Sequence, residues 1–162
     1  MYLVRRWSVR HARAMELLYN TFERLMLLFE PLCRRVGYER LEKPAAWTEE
    51  KVKGFLFDCR MCGQCALSHT GMSCPMNCPK EIRNGPCGGV RADGNCEVKP
   101  EMRCVWVEAT EGAARMKRGD QIQLVDHAVD YSLQGRSSWL RVIRIRAEEK
   151  RAATSVPGEQ AK

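Results

Sequence analysis

Long apolar runs are missing from this sequence. No stretch approaches the roughly 18–20 consecutive apolar residues of a membrane-spanning helix. The start of the chain carries Arg5, Arg6, Arg10 and Arg13 but no continuous apolar segment of the secretory kind. Arginine-rich starts also occur in mitochondrial transit peptides, but here Glu16 and Glu23 follow in the same helical pattern. The chain therefore reads as soluble and cytoplasmic, with no membrane partner. Recognisable catalytic signatures are absent too. There is no Walker phosphate loop, no H-E-x-x-H and no nucleophile elbow. The glycines of Asn84–Gly89 lack the G-x-G-x-x-G pattern and are interrupted by Cys87. At 162 residues the chain is also shorter than a barrel enzyme of roughly 250 residues, so chemistry needing such a scaffold must come from a partner. Aromatic residues are only 7% and few lie near the cysteines, and no zinc-finger helix pattern is visible. The net charge of +7 alone does not make a nucleic-acid module, and no nucleic acid is expected as partner.

What the sequence has is cysteine. Eight of its nine cysteines fall between Cys59 and Cys104, with the spacing Cys59-x2-Cys62-x2-Cys65-x8-Cys74-x3-Cys78-x8-Cys87-x8-Cys96-x7-Cys104. In a reducing compartment such density favours metal over disulfides. The opening C-x2-C-x2-C triplet supplies three corners of a cubane in bacterial ferredoxins, where a later Cys-Pro often serves a second cluster. Here Cys74 and Cys78 both precede proline. Thiolates suit iron–sulfur clusters and zinc alike, so three readings stand: two 4Fe–4S clusters, one cluster plus zinc, or zinc only. Zinc sites usually show two separated C-x2-C pairs, and a second pair is not present. The spacing therefore favours two 4Fe–4S clusters held by Cys59, Cys62, Cys65, Cys74, Cys78, Cys87, Cys96 and Cys104. Which four share a cluster does not follow from chain order. Cys33 stands apart and reads as a buried apolar residue.

Around the cysteines the fold class reads as mainly α, with an irregular cysteine-rich metal-binding core and flanking helices. Residues 1–47 form a helical arm, 48–118 the cysteine core, and 119–162 a helical extension with a polar tail. From Ser8 to Phe29, Ala14, Leu17, Leu18, Phe22, Leu25, Leu28 and Phe29 recur at helical steps, opposite Arg10, Arg13, Glu16, Glu23 and Arg24. Met15, Tyr19, Met26 and Leu27 widen that stripe, which therefore needs cover from the cysteine core or from a partner subunit. Pro44–Trp47 reads as a turn, and Thr48 as the cap of a short helix to Phe57. Val105–Arg118 and Ile122–Leu133 read as helices, Trp139–Ile145 as a strand or short helix, and Ala147 onward as a frayed tail. Phe55, Phe57 and Trp106 are expected to shield the metal. Lys80, Arg83 and Arg91 would offset its negative charge or simply face solvent. His69 reads as a solvated loop residue, and His11 and His127 as helical residues without partners.

The run from Phe55 to Trp106 resembles a known family. CxxCGxC at Cys59–Cys65, CPxxCPK at Cys74–Lys80, NGPCGG at Asn84–Gly89, GxCEV at Gly94–Val98 and CVW at Cys104–Trp106 occur in the order and spacing of the methylenetetrahydrofolate reductase C-terminal domain. In acetogenic bacteria that domain is a separate small subunit beside a flavin-bearing TIM-barrel reductase. The resemblance implies a non-catalytic subunit that holds iron–sulfur clusters, passes electrons to or from the partner's flavin, or stabilises the complex. Its partner would be the flavin-containing methylenetetrahydrofolate reductase chain.

Overall fold

A computed structural model describes residues 2–85 and 87–155, with side chains placed through residue 152. It is mainly helical, and no strand occurs among the described residues. The helices are α1 (Tyr2–Arg10), α2 (Ala12–Leu28), α3 (Glu30–Val36), α4 (Tyr38–Phe57), α5 (Val105–Ala113) and α6 (Ser138–Ser155). The cysteine-rich stretch between α4 and α5 is irregular apart from one 3-10 turn at Pro75–Asn77 and two isolated antiparallel bridges, Val90 with Cys96 and Asn95 with Arg103. Helix α1 packs on α4 and α5, while α6 lies across α2, α3 and α4.

The expected Ser8–Phe29 helix breaks at His11, whose Nδ1–H donates to the Trp7 carbonyl, 2.9 Å away. More consequential is the way α2 faces. It buries Ala12, Glu16 and Glu23, and leaves Leu17, Leu18, Leu25 and Leu28 exposed, with Phe29 following. The leucines of the expected stripe are thus on the outside, while Phe22 packs on Trp139 of α6 and Met15 on the core. Buried carboxylates need partners, and each has them. Glu16 accepts from the backbone N–H groups of Lys117 (2.7 Å) and Arg118 (3.1 Å) and pairs with Arg13. Glu23 pairs with Arg146 of α6 at 2.6 Å. Glu30 of α3 pairs with Arg151, also of α6.

Helix α4 passes straight through Pro44, so the expected turn at Pro44–Trp47 does not form. A proline inside a helix costs about 3 kcal/mol. What offsets it is a run of anchors on one face. Glu42 accepts from the backbone N–H of Ser137 at 2.6 Å. Glu49 accepts from Ser137 Oγ (2.7 Å), Ser138 Oγ and the Trp139 N–H (3.2 Å). These bonds occur only if Glu42 and Glu49 ride on one continuous helix. They also fix the start of α6, where Ser137 Oγ accepts from the Leu140 N–H as an N-cap. Trp139–Ile145 is therefore helical, and the helix runs on through Ala147 to Ser155 in place of a frayed tail. Residues 156–162 lie outside the described residues. The expected helix at Ile122–Leu133 is replaced by two 3-10 turns, Gly119–Gln123 and Tyr131–Leu133, and α5 ends at Ala113, short of Arg118.

Glu49 and Lys53 are 2% and 3% exposed, and Lys53 Nζ donates to Glu49 at 2.7 Å and to Ser138 Oγ at 2.8 Å. Removing one partner of a buried pair strands the other charge. Glu49→Ala should lower stability by about 3–5 kcal/mol, against about 2–3 kcal/mol for Ser137→Ala, which removes the cap and one of several hydrogen bonds to Glu49. Urea denaturation at neutral pH measures both.

Candidate metal centre

The chain leaves α4 through Asp58, held in the left-handed region at φ 54°, and the Cys59 N–H still reaches back to the Lys53 carbonyl at 3.3 Å. Positive φ recurs at Met61 (49°) and Gly63 (71°), which coils the triplet tightly. Polar groups from distant segments tie this coil down. Gly135 N–H donates to the Met61 carbonyl at 2.7 Å. Gln134 Nε2 donates to the Arg60 carbonyl at 2.7 Å, and Arg83 to the Gln64 carbonyl at 2.8 Å. Gln64 in turn donates through Nε2 to the Asp130 carbonyl at 3.1 Å.

Cys74 comes from further along, in the turn Thr70–Asn77. Ser73 Oγ donates to the Val105 carbonyl at 3.0 Å, and Asn77 Nδ2 to the Phe57 carbonyl at 2.8 Å. This turn sits hard against α5. Gly71 has φ 61°, and a Cβ there would overlap the Ala109 carbonyl, while a Cβ on Gly112 would overlap the Gly71 carbonyl. Only paired glycines allow this approach.

The result is one cavity lined by Cys59, Cys62, Cys65 and Cys74, with Lys53, Met61, Leu67 and Met76 among its other walls. Cys62 and Cys74 are 7% and 8% exposed. Burial, against the Met61 N–H donated to its sulfur at 3.3 Å, pushes the Cys59 thiol up to about 11, and the neighbouring Cys65 and Cys62 add to the rise. Burial also raises Cys74, reinforced by Cys59 and Cys65. Four thiolates in this space repel one another unless a cation joins them. Lys53 supplies one positive charge from the side. Burial opposes its charge, but Cys65 and Glu49 hold its pKa above the ordinary lysine value. Burial, together with Cys65, pushes the nearby Tyr19 phenol up to about 12.

The other four cysteines do not line this cavity. Cys78, Cys96 and Cys104 are buried and Cys87 is partly exposed. Cys96 bridges to Val90, and the Cys104 N–H donates to the Gly94 carbonyl at 3.0 Å. Gly89 N–H points at Cys87 Sγ at 3.3 Å, and Lys80 Nζ lies 3.8 Å from the same sulfur while pairing with Glu97. All nine cysteines are free thiols. Among the described residues no group of three or more His, Cys, Asp or Glu side chains is set to hold a single metal ion.

Phe57 and Trp106 are buried as expected, Trp106 Nε1 donating to the Ile82 carbonyl at 3.1 Å. Phe55 is not: it is 56% exposed, on the outer side of α4. Arg83 is neither loose surface charge nor a direct partner of sulfur; with His69 it grips Asp126, at 3.7 Å and 3.1 Å. Burial would raise the Asp126 pKa, but His69 and Arg83 bring it below its ordinary value. His69 is therefore a brace rather than a solvated residue. Cys33 is half-buried on α3, away from the others. Lys53 and Gln64 went unnoticed in the sequence, since nothing in a lysine or a glutamine beside cysteines marks it as inward-facing.

The model of the family described as methylene-tetrahydrofolate reductase C terminal matches residues 38–132. The chain belongs to this family. The matched span holds all eight clustered cysteines, α4, α5 and the Asp126 brace; it leaves out α1 to α3 and α6. No curated protein and no solved structure matches the chain. None of the helices among the described residues is long and apolar enough to cross a membrane.

Within this methylene-tetrahydrofolate reductase C-terminal segment, the Gly71–Gly112 contact sets where Cys74 meets the triplet. Gly112→Ala should cost about 2 kcal/mol or more and loosen Cys74. Alkylation of the metal-free chain, read by peptide mass mapping, should then show Cys74 reacting faster while Cys33 is unchanged.

Proposed function

We propose that this chain is the iron–sulfur electron-transfer subunit of a methylenetetrahydrofolate reductase-type complex. The observation that carries the reading is the convergence of Cys59, Cys62, Cys65 and Cys74 on one cavity. The C-x2-C-x2-C triplet provides three thiolates on a single coil, and the Gly71–Gly112 packing delivers the fourth. Such a donor set fits a 4Fe–4S cluster. Cys78, Cys87, Cys96 and Cys104 are the ligands we assign to a second centre. Bound clusters would supply one-electron transfer in a reducing, cytoplasmic setting.

The chain's own residues have definable tasks in this scheme. Met61 N–H and Gly89 N–H donate to Cys59 and Cys87 sulfurs, which stabilises charge on the thiolates. Phe57 and Leu67 exclude water from the first site. Lys53 holds a positive charge beside it, kept in place by Glu49. The partner that would exchange electrons with these centres is the flavin-bearing reductase chain, a pairing that family membership supports. Catalysis on the folate would belong to that partner.

Anaerobic purification followed by metal analysis tests the reading. About eight iron per chain and absorption near about 400 nm that bleaches with dithionite are the expected results. Zinc alone, in a colourless protein, would replace electron transfer with a structural role. Cys62→Ser should remove about half the iron and leave the remainder in place. Lys53→Met should lower the reduction potential of the first centre by on the order of 50 mV, with Glu49→Gln shifting it upward, both read by redox titration. Co-purification with a flavin-bearing reductase chain tests the partner.

A further inference from the structure

Among the described residues nothing covers the outward-facing side of α2 and α3. Leu18, Leu25 and Leu32 follow one line at seven-residue steps, flanked by Leu28 and Phe29, and all are at least half exposed. A contiguous apolar face of this kind marks an interaction surface. Alongside it runs a groove, about 770 Å³ in volume, between α2, the segment after α5 and α6. Its cations are Arg10, Arg13, Arg24, Lys117, Arg118 and Arg146; its carboxylates, Glu16 and Glu23, are buried and already engaged by Arg13, Arg118 and Arg146. Arg10, Arg24 and Lys117 are exposed and carry no ion pair among the described residues. The groove therefore has positive charge to spare beside a row of leucines.

We propose that this face docks an acidic amphipathic helix of a partner protein, its apolar side chains on the leucine row and its carboxylates in the groove. Charge complementarity decides the occupant. A second copy of this chain, at +7, would bring like charge to a cationic groove. A flat anionic bilayer would meet the leucine row but not cations set in a concavity. A helix laid into a groove meets both. The face lies almost wholly outside the span shared with the family, on residues before Tyr38 and after the 132 boundary, with Lys117 and Arg118 its only family positions. It thus serves contacts particular to this chain, and the proposal stands without the iron–sulfur reading.

The full-length chain, as purified, is titrated with a labelled synthetic peptide of leucine and glutamate in helical repeat, and with the same composition scrambled. The repeat peptide should bind, weaken as salt rises, and lose at least about tenfold in affinity with Arg10→Ala, Arg24→Ala and Lys117→Ala combined. Leu25→Ser with Leu28→Ser should weaken it comparably. All five side chains are exposed, and circular dichroism confirms that the variants stay helical. Absent binding, or binding equal for the scrambled peptide or indifferent to both variants, overturns the proposal. So does phosphatidylserine vesicle binding with the same variant dependence, or a self-association seen by sedimentation that Leu25→Ser with Leu28→Ser abolishes.

Discussion

A carboxylate taken out of water must be repaid in hydrogen bonds, and Glu49 is where this fold meets that demand. Its two oxygens take the Lys53 ammonium, two serine hydroxyls and a backbone N–H of α6. Three things hang on that one side chain. α6 begins where Glu49 says it begins. Lys53 is held inward, with its ammonium 5.2 Å from the centre of the Trp139 ring. And the last turns of α4, which aim Cys59, are fixed relative to the C-terminal helix. The same logic is repeated at Glu16, Glu23 and Glu108, the last buried between Arg5 (3.3 Å) and Arg6 (3.6 Å). Helices that bury carboxylates in place of leucines are registered by direction-specific bonds, so their placement is narrower than greasy packing alone would make it.

The two halves of the cysteine block are built differently. The first quartet is assembled by the end of α4 and by hydrogen bonds to Asp130, Gln134 and Gly135, around a cavity. The second is held by short antiparallel bridges at Cys96 and beside Cys104 and by the Trp106–Cys104–Ala109 cluster. Under the proposed assignment, two centres of such unlike surroundings would have unlike potentials, because hydrogen bonds to sulfur and solvent access both tune a cluster.

Much of the candidate site was readable from residues alone. The triplet spacing, the Cys-Pro pairs and the glycine-rich loop placed the irregular core correctly between two helices, and the motif order led to the family. What spacing could not reveal was that Cys74 joins the triplet, because that depends on Gly71 meeting Gly112, two residues with no side chain to signal the contact. The helices were misjudged wherever charge overrode pattern. The leucine periodicity of α2 was real, yet it faces outward, because Glu16 and Glu23 found buried partners roughly a hundred residues away. Pro44 looked like a stop, and tertiary anchors at Glu42 and Glu49 carried the helix through it. Trp139–Ile145, left open between strand and short helix, is the start of α6, which Ser137 caps.

Those long-range partners bear on how the chain reaches its native state. Arg5 waits for Glu108 and Glu16 for Lys117, separations of 103 and 101 residues. During synthesis the first two helices emerge with most of the partners of their inward carboxylates and arginines still to come; locally, Glu16 has only Arg13. High contact order of this kind slows folding. The amino-terminal arm closes only after α5 has left the ribosome, by which time the whole cysteine loop is already out and must fold beneath helices that are not yet seated.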